Sequence, residues 1–396
     1  MPQNSQVLDS ETWRRLIDTV FRPAQDERAL AILVDLPDGA KPDNDAWRER
    51  RQLAKSWFDA LSEALKDFTV ELWHYPNVHT NNNDLPDEAW PYRDGVDRVE
   101  QLATGEGVPF EQLFARLPFF IAMSELSATA PLKLAARRHG FRGATMPRFS
   151  PRMMSALALD LEEVDQRCRL LKDLLDHAEG AHFLFEANGA EYRLKLDLRR
   201  RTAHASSGLL RQAGVAGNLP SGETYIVPYE GEIDGLASHS AGFLPVAFGD
   251  GEDAEVVVYE IQANKAVAVQ GDGQRADAER QRIQDEPAYA NLAELGLGVL
   301  GDLGIEPIGE ILLDEKLGLH IAFGRSDHFG GSVGPGDFSS PDAVVHIDRV
   351  YLPGDAVTPA RVELEDGDGR RLLLMQDGRY QVDFSASAEE AWGSTV

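Results

Sequence analysis

The sequence predicts an α/β fold in which an amino-terminal parallel-sheet α/β domain precedes a strand-rich α+β domain. Two observations support this fold class. Apolar runs alternate with amphipathic stretches in the first part of the chain, as in a parallel sheet covered by helices. The later part consists of short alternating runs separated by glycine-containing turns. We therefore predict an α/β domain over residues 1–180 and a strand-rich, metal-binding domain over residues 181–396.

The elements of the first predicted domain are bounded by proline, aspartate or asparagine. Strands are expected over residues 29–37, 69–78, 118–124 and 142–147. Helices are expected over residues 43–68 and up to His139, where Gly140 provides a common helix end. Ser150 followed by Pro151 predicts the start of one long helix that continues to Gly180.

The second predicted domain begins with a hairpin. Asn188 and Gly189 separate two alternating runs, and this dipeptide is the strongest short-range signal for a two-residue hairpin turn. One helix is expected in the charged segment 274–284, and further strands are expected within residues 362–384.

Composition limits the possible partners and cofactors. The 396 residues are 43% hydrophobic, enough for more than one core, and the formal net charge of -27 disfavours nucleic acid and anionic membranes as partners. Cys168 is the only cysteine, which excludes an internal disulfide and a cysteine-based zinc site. The amino terminus lacks a signal-peptide pattern and no long apolar run follows, so we expect a cytoplasmic protein without a membrane partner.

Two histidines lie on predicted strands beside residues that suit a polar site. His346 and Asp348 share one strand face, and this arrangement is typical of a metal edge, an acid/base pair or a surface hydrogen bond. His320 shares a face with Ala322 and Gly324, whose small side chains leave space beside the imidazole. This pattern indicates either a functional site or a structural histidine in the core that is hydrogen-bonded to the backbone.

Two glutamates are further candidates. Glu223 lies where the chain enters a strand, and Glu294 lies between Ala293 and Leu295. A buried carboxylate without a partner costs several kcal/mol, so Glu294 must be paired, bound to metal or exposed.

Four motifs in order resemble the aminopeptidase T/aminopeptidase S family of thermophilic metalloaminopeptidases: NLPSGETYIVP, NLAELGLG, LLDEKLGLHIAFG and HID. The resemblance implies hydrolysis of amino-terminal residues from peptides, a homodimer, and two divalent ions, with Zn, Co or Mn expected. It also implies that one glutamate, Glu294, is shared between the ions. The ligands implied by the family pattern are Glu223, Glu294, His320, His346 and Asp348.

The sequence departs from the family at the tyrosine expected seven residues after His320, where Asp327 stands instead. An ionised carboxylate cannot donate a hydrogen bond to an oxyanion. We predict that His328 replaces the missing donor. The alternatives are that the peptidase chemistry is lost, or that Arg325 donates instead of lying in a solvated turn. Glu315, which belongs to the family's Asp-Glu pair, is predicted to act as a base near the metals or to be a structural turn carboxylate.

Two other functions fit the same residues. His320, His346 and Asp348 form a two-histidine, one-carboxylate set typical of mononuclear non-haem Fe(II) enzymes. The expected fold also resembles that of ring-cleaving 2,5-dihydroxypyridine dioxygenases, which use such a set. A peptide or a small molecule is therefore the expected substrate. The third possibility is a catalytically silent relative that serves as a binding component.

Overall fold

The computed structural model describes residues 8–249 and 254–393, and it confirms the predicted α/β class. Contacts divide the chain into two units: unit 1 contains residues up to Glu162 together with Ser206–Ser221, and unit 2 contains Glu163–Ala205 and the chain from Gly222 onwards. This grouping differs from the predicted division at residue 180. Part of the signal-peptide expectation rests on residues 1–7, which lie outside the described residues. No helix within the described ranges is both long and apolar enough to cross a bilayer.

The described elements are named in chain order. The α-helices are α1 (Ser10–Phe21), α2 (Asp45–Ala64), α3 (Phe110–Arg116), α4 (Thr129–His139), α5 (Met154–Leu157), α6 (Leu161–His177), α7 (Gln274–Asp285), α8 (Ile311–Asp314) and α9 (Ala388–Gly393). The strands are β1 (Ala29–Leu36), β2 (Thr69–Pro76), β3 (Glu88–Pro91), β4 (Val108–Pro109), β5 (Phe119–Met123), β6 (Arg142–Thr145), β7 (Gly180–Ala187), β8 (Ala190–Asp197), β9 (His204–Ser206), β10 (Ala216–Asn218), β11 (Glu223–Ile226), β12 (Ala241–Phe248), β13 (Glu255–Gln262), β14 (Lys265–Gln270), β15 (Leu292–Gly298), β16 (Leu319–Gly324), β17 (His346–Tyr351), β18 (Val357–Glu365), β19 (Arg371–Gln376) and β20 (Arg379–Tyr380).

The sheet of unit 1 has the strand order β10-β6-β5-β1-β2-β3-β4. Strands β10, β6, β5, β1 and β2 are parallel, and β3 joins β2 in the antiparallel direction. From Leu30 to Leu36 every residue of β1 is buried. This is the reason for its apolar run from Leu30 to Val34, because a central parallel strand is covered on both faces.

Polar side chains and a glycine set the helix ends in unit 1. Asp9 and Asn44 cap α1 and α2 by accepting backbone N–H groups at 2.8 Å. Helix α4 ends at Gly140, which has φ 82° and confirms the predicted end.

The prediction of one helix from Ser150 to Gly180 is wrong. A short 3-10 turn at Pro151–Met153 and α5 precede a separate helix, α6. Asp160 starts α6 by accepting the backbone N–H of Glu162 at 3.0 Å. An aspartate side chain that bonds to nearby backbone favours a new helix start over continuation of the preceding helix.

Unit 2 contains two antiparallel sheets. The larger has the order β14-β13-β12-β8-β7-β18-β19-β20. Its β7–β8 hairpin turns at Asn188 and Gly189, which have φ of 51° and 73° and confirm the predicted turn. The helix predicted in segment 274–284 is confirmed as α7.

The smaller sheet of unit 2 has the order β17-β16-β15-β11-β9 and brings the candidate residues together. Its register places Tyr225 opposite Gly296, and Gly296 opposite His320. Because side chains alternate between faces, the polar candidates share one face of this sheet. The other face is apolar and buried, with Leu295, Leu297, Ile321 and Phe323.

Candidate metal centre

The structure brings all five predicted ligands together on one face of the smaller sheet. They form two groups that share Glu294, and in each group one ligand atom per residue lies within 4.8 Å of the others. The groups are Glu223 with Glu294 and His320, and Glu294 with His346 and Asp348.

Glu294 lies between the two histidines and is 4% exposed. Its Oε1 is 3.1 Å from His320 Nε2, and its Oε2 is 3.2 Å from His346 Nε2. Burial alone would raise the pKa of Glu294, but the hydrogen bonds and charges of the two histidines outweigh burial and lower it. The ionised carboxylate therefore has its two oxygens directed towards different imidazoles.

His346 is oriented by a backbone carbonyl. Its Nδ1 donates to the oxygen of Arg325 at 2.7 Å, which leaves Nε2 at 3.4 Å from Asp348 Oδ1. Burial opposes a charge on this ring, yet Asp348 and Glu294 raise the pKa of His346 well above its usual value. A histidine whose second nitrogen is bonded to a carbonyl has the orientation typical of a metal ligand.

His320 fits its position because the facing residue has no side chain. A Cβ atom at Gly296 would lie 1.9 Å from His320 Nε2. The buried Nδ1 of His320 has no hydrogen-bond partner among the described residues. Although burial lowers the pKa of His320, the hydrogen bond to Glu294 and nearby carboxylates raise it to about 9.

Glu223 has a buried cation as a neighbour. Lys316 is 0% exposed, and its Nζ lies 2.9 Å from Glu223 Oε1 and also contacts Glu315. The other oxygen of Glu223, Oε2, is 3.8 Å from His320 Nε2. Sequence reasoning missed Lys316, although a lysine that follows two acidic residues between apolar ones, as in LLDEKLGLH, is a detectable signal of a paired charge.

Glu315 immediately follows α8 and contacts Lys316 rather than any of the five ligands. Burial raises the pKa of Glu315; Lys316 opposes this shift, and Glu223 and Asp348 add to it. Its position fits a carboxyl group that holds a proton beside the centre. A catalytic role for Glu315 stays a prediction.

His328 lies in a 3-10 turn close to the second ligand group. Its ring centroid is 5.5 Å from that of His346 and 3.8 Å from that of Phe329. Burial, followed by the charge of His346, lowers the pKa of His328 to about 4. The imidazole is therefore neutral near pH 7 and has one N–H to donate.

Asp327 is held by Arg325, whose Nε donates to Asp327 Oδ1 at 2.6 Å. Burial would raise the pKa of Asp327, but the bond and charge of Arg325 lower it. Asp327 is therefore an ionised acceptor, and the guanidinium of Arg325 is already engaged.

Tyr225 is a second residue that sequence reasoning missed. It follows Glu223 by two positions on β11, so both side chains lie on the same face of the sheet. Its ring centroid is 5.4 Å from that of His204 and 4.7 Å from that of Phe329. The hydroxyl has no hydrogen-bond partner among the described residues. Burial, then the charges of Glu294 and Glu223, raise the pKa of Tyr225, so the phenol keeps its proton.

Glu230 fixes the loop that carries His328. It accepts hydrogen bonds from Ser326 Oγ at 2.5 Å and from Ser332 Oγ at 2.7 Å. Arg201 donates to the carbonyl of Gly330 at 2.9 Å. These bonds tie both ends of the loop to unit 2.

The donor set fits a divalent metal ion. Three carboxylates and two imidazoles converge without a sulfur ligand, which suits Zn, Co, Mn or Fe. The orientation of His346, whose Nδ1 is bonded to a carbonyl while Nε2 faces the carboxylates, agrees with this reading. These buried groups are able to hold metal.

Comparisons with known proteins agree on the fold. The sequence matches no protein-family profile and no curated protein. A 2,5-dihydroxypyridine dioxygenase from Pseudomonas putida KT2440 matches with a TM-score of 0.62 and 12% identity, over 96% of this chain and 100% of that chain. AmpT from Thermus thermophilus, an aminopeptidase T, matches with a TM-score of 0.56 and 13% identity, over 94% and 98%. Such identities establish a shared fold alone.

Proposed function

We propose that this chain is a metal-dependent aminopeptidase with two adjacent divalent ions that share Glu294. The observation that carries the proposal is the direction of the two Glu294 oxygens, one towards His320 and the other towards His346. Each imidazole belongs to its own group of three ligands. A carboxylate shared in this way offsets the repulsion between two cations about 3.5 to 4 Å apart.

Two bound divalent ions would polarise a peptide carbonyl and lower the pKa of water towards 7. The chain's own residues supply the other requirements. Glu315 holds a proton beside the centre, while His328 and Tyr225 are the two candidate donors to a developing oxyanion, although His328 Nδ1 lies 3.5 Å from the carboxylate of Asp327. The formal net charge of -27 favours a substrate with a free α-amino group.

The direct test measures hydrolysis by the full chain. The protein is treated with chelator, reloaded separately with Zn²⁺, Co²⁺ or Mn²⁺, and assayed on a panel of aminoacyl-p-nitroanilides and dipeptides. We expect metal-dependent release of the amino-terminal residue, lost in Glu294→Gln and retained in the exposed control Glu191→Gln. Metal-loaded wild type that hydrolyses no substrate of the panel would contradict the proposal.

A second candidate is a mononuclear Fe(II) ring-cleaving dioxygenase that uses His320, His346 and Asp348. The pairing of Glu223 with Lys316 at 2.9 Å favours it, because Glu223 then has a partner other than a second ion. Oxygen uptake by Fe(II)-loaded protein with 2,5-dihydroxypyridine tests this activity. Glu223→Gln separates the candidates, since it should abolish hydrolysis but leave oxygen uptake.

Lack of both activities in metal-loaded protein would favour the silent binding component. The homodimer and the cytoplasmic location stay predictions from the sequence.

A further inference from the structure

The two ligand groups differ in the charge beside them. The ammonium of Lys316 lies 2.9 Å from Glu223 in the His320 group, and it also contacts Glu315, a buried carboxyl group that holds its proton because burial raises its pKa to about 8. Among residues 8–249 and 254–393, no lysine or arginine lies within ion-pair distance of Asp348 in the His346 group; its ion-pair partner is His346 at 3.4 Å. The His320 group is therefore the less negative of the two.

Backbone packing fixes Lys316 in this position. The N–H of Leu300 donates to the carbonyl of Lys316 at 2.9 Å, and a Cβ atom at Gly298 would lie 2.2 Å from the Lys316 carbonyl carbon. The side chain is 0% exposed, so its charge is not screened by water. The ammonium is thus a permanent part of the centre.

The position of Lys316 limits what Glu223 offers to a metal ion. Glu223 Oε1 is bonded to the ammonium, which leaves Oε2, 3.8 Å from His320 Nε2, as the oxygen available for an ion. The ammonium also cancels the charge of one of the two carboxylates in this group and repels a nearby cation. In the other group, Glu294 and Asp348 both keep their charge for the ion.

We propose that the two positions bind divalent ions with unequal affinity. The Glu294–His346–Asp348 position fills first, and the Glu223–Glu294–His320 position is weak and exchangeable because of Lys316. This inference rests on the proposed two-ion centre. It implies that hydrolysis begins only when the free metal concentration reaches the dissociation constant of the second position.

The test is a titration of chelator-treated, full-length protein with Co²⁺, in which calorimetry and visible absorption measure the binding. We expect two steps whose dissociation constants differ at least about tenfold. Glu223→Gln should remove the weaker step alone. Asp348→Asn, a matched change of one carboxylate to an amide, should remove the tighter step.

Lys316→Met provides the second arm. It should tighten the weaker step at least about tenfold, with circular dichroism to verify folding. If this variant does not fold, the assignment of steps by Glu223→Gln and Asp348→Asn still decides the question.

The outcomes separate this inference from the proposed function. Two equal steps in wild type, or loss of the tighter step in Glu223→Gln, would overturn the inequality while leaving a two-ion peptidase intact. One step in wild type that becomes two in Lys316→Met would support the role of Lys316 but refute a two-ion mechanism in the native chain. A single step in both proteins would overturn both.

Discussion

The imidazole of His346 is held by the backbone of Arg325 through a 2.7 Å hydrogen bond from Nδ1 to the carbonyl oxygen. This bond decides which nitrogen meets the carboxylates, so Nε2 is the atom placed to bind an ion once its proton has left. The centre is therefore prepared in part by the chain outside the ligand side chains.

Replacement of His346 tests this arrangement. His346→Gln removes the imidazole nitrogen that faces Glu294 and Asp348, so we expect loss of the tighter Co²⁺ step and at least about a hundredfold loss in kcat/KM. His182→Gln, on the larger sheet, is the matched control. Unchanged Co²⁺ binding in His346→Gln would contradict the assigned ligand.

Gly296 should tolerate no side chain. A Cβ atom there would lie 1.9 Å from His320 Nε2, so Gly296→Ala must displace the ring. We expect loss of the weaker Co²⁺ step and a decrease of about 1–3 kcal/mol in the free energy of unfolding. Gly336→Ala is the control, since a Cβ atom at that position meets nothing within 4 Å. Equal behaviour of the two variants in titration and denaturation would show that His320 does not need this space.

Tyr225 and His328 are competing donors to the oxyanion. If the phenol donates, Tyr225→Phe should lower kcat about 10²-fold or more with little change in KM, because the bond forms in the transition state. Tyr192→Phe makes the same chemical change on β8 and serves as control. The deciding measurement compares Tyr225→Phe with His328→Phe. A loss of kcat confined to His328→Phe would assign the role to His328.

Asp35 should make the stability of unit 1 depend on pH. Trp47 Nε1 donates to its Oδ1 at 2.8 Å, and the backbone N–H of Glu125 donates to both oxygens. Burial, only partly offset by these bonds and by Arg50, raises the pKa of Asp35 to about 6, whereas its ordinary value is 3.8. The folded chain therefore binds this proton more tightly than the unfolded chain.

The free energy of unfolding therefore decreases as pH rises. The stabilisation from neutral Asp35 is complete below about pH 4 and is lost as pH rises through about 6. Relative to Asp35→Asn, wild type should lose on the order of 2 to 3 kcal/mol of unfolding free energy between pH 4 and pH 7. Urea denaturation monitored by tryptophan fluorescence measures this, with the exposed Asp45→Asn as control. Parallel pH curves for wild type and Asp35→Asn would rule out the raised pKa.

Several local features could be predicted because short-range rules determine them. Asn188 and Gly189 specify a hairpin turn, and a period of two places His346 and Asp348 on one face. Grouping those residues with Glu223 and Glu294 needed the family resemblance, since strand order and register depend on contacts between distant segments.

Other features were missed for the same physical reason. Gly296 leaves space for His320 because the register between β15 and β16 places the two residues opposite each other. Periodicity within one strand does not predict the register between two strands. Lys316 reaches the centre from the turn before β16, where no periodic pattern assigns a direction to a side chain. The break before α6 coincides with a hydrogen bond from the backbone N–H of Glu162 to the side chain of Asp160, which the apolar pattern of the sequence does not encode.

Strand β10 has a consequence for synthesis of the chain. This edge strand of the unit 1 sheet pairs with β6 through Ala216–Asn218, yet it lies after the hairpin and other residues of unit 2 in the sequence. During translation, the edge of β6 that pairs with β10 stays unpaired until the ribosome has added more than seventy further residues, counted from Thr145 to Ala216. An unpaired edge is a site for association with other chains, so a nascent or truncated chain that stops at Gly180 would be prone to aggregate.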